Sequence, residues 1–177
     1  MRTTTLVLAL TLLMVLPVMA QEAPKGELFG GYSYLRSNGL NFNGWDGSIA
    51  QNVNHYFGLK FNVSGHYKTT GQTGGRVEDK VHNILFGPQF TYRKHDRITP
   101  FFHTMLGMTV ETIKLQVLGV SADDSFKYFA ALFGGGVEVK ITDSVAFRAV
   151  QADWLYNRSN GETGNGLRLT AGFTYRF

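Results

Sequence analysis

The chain has 177 residues, a formal net charge of +4, 21 glycines, 24 aromatic residues and no cysteine. Its basic residues are scattered, which argues against the clustered basic surface of a nucleic-acid-binding protein. The lack of cysteine excludes both a disulfide framework and a lipid-modified amino terminus.

The first segment has the pattern of a secretory leader. Arg2 precedes an apolar run from Leu6 to Val18, and Val18-Met19-Ala20 stands before Gln21. Small residues one and three positions before a cut are the cleavage signature, and the run is shorter than the ~20 residues of a spanning helix. We therefore expect a signal peptide at 1–20, a short lead-in at 21–26 and one domain at 27–177.

Eight segments of the remaining chain alternate between apolar and polar residues. They are 27–36, 43–53, 57–68, 81–93, 98–111, 126–141, 145–156 and 167–177. Alternate residues of a strand face opposite sides, and a strand needs ~9–11 residues to cross a bilayer. The pattern predicts an all-β fold, an eight-stranded antiparallel up-and-down transmembrane β-barrel.

The seventh segment leaves two alternatives open. If Val150, Ala152 and Trp154 face outward in strict alternation, Arg148 faces outward too. Arginine facing lipid costs ~2–4 kcal/mol at the midplane but almost nothing near the interface. Either Arg148 lies at the interface or a local β-bulge turns it inward.

The connections differ between the two ends of the predicted barrel. Short turns are expected at 54–56, 94–97 and 142–144, and long polar loops at 69–80, 112–125 and 157–166. Short turns on one side and long loops on the other are typical of outer-membrane barrels. We expect the three long loops to bind an extracellular ligand.

Aromatic residues favour the barrel over a soluble β-sandwich, which also has short alternating strands. Aromatic residues near the turn-side ends are Tyr56, Phe57, Tyr92, Phe147, Tyr175 and Phe177; those near the loop-side ends are Trp45, Tyr67, Trp154 and Tyr156. Paired aromatic girdles suit the two interfaces of a bilayer.

The polar faces of the segments carry charge, which suggests a filled lumen. Residues assigned to its turn-side half are Lys60, Arg93, Glu138, Lys140 and Arg176; those assigned towards the loop side are Asp46, Glu111, Asp153 and Arg168. Since an unpaired buried charge costs several kcal/mol, we expect Glu138 to be held by at least one of Lys60, Arg93 or Arg176.

The leader, the alternating repeat, Phe29-Gly-Gly-Tyr-Ser-Tyr and the terminal Phe173-Thr-Tyr-Arg-Phe resemble the small outer-membrane β-barrel domain family of OmpA-like and OmpX-like proteins. The resemblance implies a location in the bacterial outer membrane, with lipid and lipopolysaccharide as surroundings. It also implies that the barrel assembly machinery reads Tyr175 and Phe177.

The predicted function is a non-enzymatic structural or loop-mediated binding or adhesion role, with the lumen plugged by charged side chains. A narrow pore for small solutes is one alternative. A membrane-embedded lipid-modifying hydrolase is another, with Ser64, His66 and Asp153 as its residues, although positions two apart lie ~6.6–6.8 Å apart along a strand. We assign no catalytic and no cofactor-binding residue. We also assign no metal-binding residue, because His55, His82, His95 and His103 are scattered with no pair at ligand spacing on one face.

Overall fold

Eight antiparallel strands close into a barrel. The computed structural model describes residues 24–72, 75–117, 120–159 and 162–177. The strands are β1 (Gly26–Ser37), β2 (Leu40–Asn52), β3 (Phe57–Gln72), β4 (Gly75–Thr91), β5 (Ile98–Val117), β6 (Val120–Lys140), β7 (Val145–Ser159) and β8 (Glu162–Arg176). Each strand pairs with the next, and β1 pairs with β8. The predicted eight-stranded antiparallel barrel is confirmed, whereas the predicted signal peptide lies outside the described residues.

The alternation in the sequence assigns the two faces of the strands correctly. Phe57, Leu59 and Phe61 point outward from β3, whereas the neighbouring Lys60 and Asn62 are buried inside the barrel. The exposed outer surface is apolar, as contact with hydrocarbon requires. Within the described ranges, no helix is long and apolar enough to cross a membrane.

A β-bulge in β7 resolves the ambiguity at Arg148. Glu138 of β6 pairs with Arg148 but Val137 pairs with Val150, so Ala149 is an extra residue. The pairing with β8 shifts at the same place. The extra residue turns Arg148 into the barrel, where it is 2% exposed. The bulge alternative is therefore correct and the outward placement of Arg148 is wrong.

The short turns at 54–56, 94–97 and 142–144 are confirmed, and β1 and β2 join through another tight turn. In that turn Asn38 and Gly39 have φ of 49° and 78°. Positive φ at both central residues defines the type I′ turn that suits a two-residue β-hairpin.

The three predicted long loops are wrong as loops, because most of their residues continue the strands. Pairing runs to Gln72 opposite Gly75, to Val117 opposite Val120 and to Ser159 opposite Glu162. Backbone hydrogen bonds hold these hairpins together whatever their side chains are. Alternation disappears there because both faces of the hairpins meet water, so polar residues occupy both.

The bulge makes a testable prediction about β7. Deleting Ala149 removes the extra residue, so β7 alternates strictly while Arg148 still faces Glu138 inside the barrel. We therefore expect the deletion variant to keep most of its free energy of unfolding in urea titrations of the barrel in lipid vesicles. Arg148→Ala keeps the chain length but leaves Glu138 with one partner fewer, and it is expected to cost about 3–5 kcal/mol. A deletion variant that loses as much stability as Arg148→Ala would contradict this account.

Candidate functional site in the barrel lumen

The interior is layered between two ends. The turn end carries the turns at 54–56, 94–97 and 142–144, and the hairpin end carries the extended hairpins. From the turn end inward there follow a cluster of charges around Glu138, a second cluster around Arg168, an apolar layer and an open cavity. An eight-stranded barrel is just wide enough for side chains to fill.

Glu138 is the acceptor at the centre of the first cluster. Its Oε1 accepts hydrogen bonds from Arg148 Nη2 and Thr174 Oγ1, each at 2.7 Å, and its Oε2 accepts one from Arg176 Nη2 at 2.7 Å. The predicted partner Arg176 is confirmed. Arg148 is a second partner that sequence reasoning did not assign, since the bulge hid its direction. All of these atoms belong to residues buried or nearly buried in the lumen.

Arg148 also closes the cross-section at this level. Its guanidinium carbon lies 3.8 Å from the centre of the Phe29 ring and 4.5 Å from that of Phe101. A guanidinium over aromatic faces is attracted by their quadrupoles. The side chain therefore joins β7 to β1 and β5 across the lumen.

A second acid, Glu27, pairs with Arg93 and shares Arg176 with Glu138. Arg93 Nη2 donates to Glu27 Oε1 at 2.6 Å, and Arg176 Nε lies 3.8 Å from the same oxygen. Arg93 was expected near Glu138 but binds Glu27 instead, since Glu27 opens β1 at the same depth. Lys60 was the other candidate, and its Nζ lies 3.4 Å from His103 Nδ1.

Arg168 organises the second cluster. Its Nη2 lies 2.8 Å from Asp153 Oδ2, and its Nη1 lies 3.2 Å from Asp46 Oδ2. Nη1 also donates to Asn62 Oδ1 at 3.0 Å, while Asp153 Oδ1 and His103 Nε2 are 2.8 Å apart. This buried network joins β2, β3, β5, β7 and β8. The predicted inward positions of Asp46, Asp153 and Arg168 are confirmed.

One predicted lumen residue lies elsewhere. Lys140 ends β6 at the rim of the turn end, where it is exposed and its Nζ pairs with Asp143 Oδ1 at 2.6 Å. Lys140 occupies an inward-facing position in the alternation of β6, as expected. The strand ends at this residue, so its side chain reaches water instead of the lumen.

The three residues proposed for a hydrolase do not form one site. Ser64 Oγ accepts from Asn83 Nδ2 and Arg168 Nη1, each at 3.2 Å, and Asp153 is taken by Arg168 and His103. His66 Nε2 instead lies 2.9 Å from Ser33 Oγ. Sequence reasoning missed this contact because it joins strands far apart in the chain.

The Ser33–His66 contact has the distance of a nucleophile and its base, but both residues are fully buried. A nucleophile must meet its substrate, and no face of this pair reaches the surface. Among the described residues, no group of three or more histidines and acids is placed to hold a metal ion.

Above the second cluster the lumen is closed by apolar side chains. The layer consists of Leu35, Phe42, Val81, Leu85, Met105, Ala130, Leu132 and Leu155. Sequence reasoning missed this layer because both faces of the strands are apolar at this depth, as in Leu132-Phe133. Alternation between apolar and polar residues therefore does not distinguish the inward face from the outward face here.

A cavity of about 240 Å³ opens above this layer at the hairpin end. Leu35, Phe42 and Val81 line its apolar floor, and Glu111 and Tyr128 stand on its wall. The Tyr128 hydroxyl lies near the Glu111 carboxylate. Glu111 is the one charged residue among those that line the cavity.

Glu111 lies beyond the membrane-crossing part of β5, since ~11 residues from Ile98 reach only Met108. Burial raises the pKa of the Glu111 carboxyl above its ordinary value, and the charge of Asp79 acts in the same direction. The nearby Tyr128 hydroxyl lowers the pKa of Glu111 and so opposes this shift. The carboxylate is thus poorly stabilised by its surroundings.

Charges at the hairpin end are sorted by face. By strand register, the outward-facing charged residues described are the basic Arg36, Arg76, Lys80, Lys114, Lys127 and Arg158 and the acidic Glu78 and Asp123. Those facing the mouth of the barrel are the basic Lys68 and the acidic Asp79, Glu111 and Asp124. The outer face is therefore basic and the mouth acidic.

The Glu138 cluster predicts a large effect of one substitution. Removing one partner of a buried ion pair leaves charge uncompensated, so we expect Glu138→Ala to lower the free energy of unfolding in lipid vesicles by about 3–5 kcal/mol. Glu78→Ala removes an acid that pairs with the exposed Arg76 and the half-buried Lys80 on the outer face. This control is expected to cost less than about 1 kcal/mol. Similar losses in the two variants would refute the role of the cluster.

Solved structures of small membrane barrels share this fold. Ail, the attachment invasion locus protein of Yersinia pestis, is 17% identical over 86% of this chain and 100% of its own, with a TM-score of 0.61. Ail was also solved with the heparin analogue sucrose octasulfate, at 16% identity and a TM-score of 0.63 over 88% of this chain and all of its own. Neisserial surface protein A is 11% identical over 89% of this chain and all of its own, with a TM-score of 0.63.

No curated protein matches the chain in sequence. The sequence model of the outer membrane protein beta-barrel domain matches residues 5–177, nearly the whole chain. That match agrees with the closed eight-stranded barrel, its apolar outer belt and its charged interior. The chain belongs to the outer membrane protein beta-barrel domain family and is a protein of the bacterial outer membrane.

Proposed function

We propose that the chain is a non-enzymatic outer-membrane barrel with a closed lumen, and that it acts through the surfaces of its hairpin end. The observation that carries this proposal is the Arg168 network, which spans the lumen from β8 to β2, β3 and β7 with buried charges in contact. A side chain held by ion pairs on several strands leaves its cross-section occupied.

Three barriers in series support closure. An ion moving along the axis meets the Glu138 cluster, the Arg168 cluster and then the apolar layer. Passage through the charged clusters requires separating buried ion pairs, which leaves uncompensated charge. Passage through the apolar layer requires stripping water from the ion.

The lumen proposal is tested by conductance. The barrel reconstituted in a planar bilayer is expected to show no stepwise ion current. Because the Arg168 and Arg148 side chains fill two levels, and Met105 and Leu132 help to fill the apolar layer, we expect the combined variant Arg148→Ala, Arg168→Ala, Met105→Ala and Leu132→Ala to conduct if it folds.

A single-level variant, Arg168→Ala, keeps the Glu138 cluster and the apolar layer and is the matched control, expected to stay closed. Heat-dependent migration in gels verifies folding of each variant. Steady current through the unaltered barrel would overturn the closed-lumen proposal and favour a narrow pore.

The outward basic residues at the hairpin end fit anionic lipid headgroups. Arg36, Lys127 and Arg158 are exposed and lie towards the hairpin end, near the Trp45, Tyr67 and Trp154 girdle. Basic residues near a membrane surface are attracted to anionic headgroups by about 1 kcal/mol each. We call Arg36, Lys127 and Arg158 the basic collar and propose that it binds the phosphates of lipopolysaccharide. The anionic ligand in the Ail structure would also match this basic outer face better than the acidic mouth.

The terminal strand presents the residues expected to meet the assembly machinery. Tyr175 and Phe177 are more than half exposed on the outer face, with ring centres 6.2 Å apart. Their outward direction supports recognition before the strand closes against β1.

The collar is tested by charge removal. Since each basic side chain contributes attraction, the variant Arg36→Gln, Lys127→Gln and Arg158→Gln is expected to bind lipopolysaccharide vesicles at least tenfold more weakly in flotation assays. The control Lys94→Gln, Arg97→Gln and Lys140→Gln removes three charges from the turn end and is expected to bind as the unaltered barrel does. Equal losses in both variants would show that net charge alone governs binding.

A further inference from the structure

We propose that the cavity at the hairpin end binds a small organic cation, an amine whose apolar body is about the size of one aromatic ring. The cavity is the one formed by Leu35, Phe42, Val81, Glu111, Tyr128 and their neighbours. It lies above the apolar layer, so this inference is independent of whether the lumen conducts.

The size and lining of the cavity define the body of the ligand. Its volume is about 240 Å³, and its floor is made by buried Leu35, Phe42 and Val81. An apolar cavity of about 150 Å³ holds one benzene molecule. A single ring with a short polar arm therefore fits, with the ring on the floor and the arm directed towards the polar wall.

The charge on the wall defines the head of the ligand. Glu111 is the one charged residue lining the cavity, and the acidic Asp79 lies near enough to disfavour its ionised form. A bound ammonium group would pair with the Glu111 carboxylate and relieve this repulsion. The ring of Tyr128 also lines the cavity, and aromatic rings attract cations.

The surroundings select against anions. Of the charged residues that face the mouth, Asp79, Glu111 and Asp124 are acidic and Lys68 is basic. An anion entering the cavity would meet Glu111 without a cationic partner among the lining residues. Apart from Lys68, the basic residues described at the hairpin end face outward, away from the cavity.

Three ring probes that differ only in the head group test the inference. Benzylamine, benzyl alcohol and benzoate are titrated at neutral pH against the barrel in nanodiscs of zwitterionic lipid, which do not attract the amine by charge. Binding is followed by calorimetry and by NMR shifts of residues lining the cavity. We expect saturable binding with benzylamine about tenfold tighter than benzyl alcohol and benzoate weakest, because only the amine pairs with Glu111.

Variants separate the two parts of the site. Glu111→Gln is expected to abolish the preference for the amine while benzyl alcohol still binds, and the outward Glu78→Gln leaves all three affinities unchanged. Leu40→Trp, on the exposed rim, is expected to block every probe without disturbing the interior. No saturable binding, equal affinity for the three probes, or an amine preference that survives Glu111→Gln would each overturn the inference.

Discussion

The whole structure depends on one constraint, the need to satisfy every backbone group within the barrel while the outer surface remains apolar. Hydrocarbon offers no hydrogen bonds, so only a sheet closed on itself can cross it with strands. The pairing of β1 with β8 meets that need. Polar side chains then have only the lumen, and charges there persist because they are paired, as Glu138 is with Arg148 and Arg176.

Alternation in the sequence predicted the strands and their outward faces because lipid imposes it at every second residue. It predicted that Glu138 is held by at least one of Lys60, Arg93 or Arg176, because few charges share the turn-side depth, and Arg176 is the one in contact. It did not reveal which way Arg148 points, since one extra residue, Ala149, changes the phase and leaves no compositional trace. Nor did it reveal contacts such as Ser33 with His66, which depend on which strands close the barrel.

The regions where prediction failed are those where the two faces meet similar surroundings. Leu132 and Phe133 are both apolar, although one packs in the lumen and the other faces lipid. In the hairpins both faces meet water, and polar residues were read as loops although they form paired strands. The cavity at the hairpin end lies between the apolar layer and the hairpins. It has an apolar floor and a polar wall, so neither a run of apolar residues nor a run of polar residues indicated it in the sequence.

The strands differ in length, and the barrel rim is uneven as a result. β1 has 12 residues and β5 has 20, and both strands start at the turn end of the barrel. At ~3.4 Å per residue, the tallest hairpin extends ~27 Å further along its strands than the β1–β2 hairpin. The wall beside the Asn38-Gly39 turn is therefore the lowest part of the barrel rim, which rises towards the β5–β6 hairpin. Asn38 and Leu40 of this low wall line the cavity, so the cavity is bounded there by the shortest hairpin of the barrel.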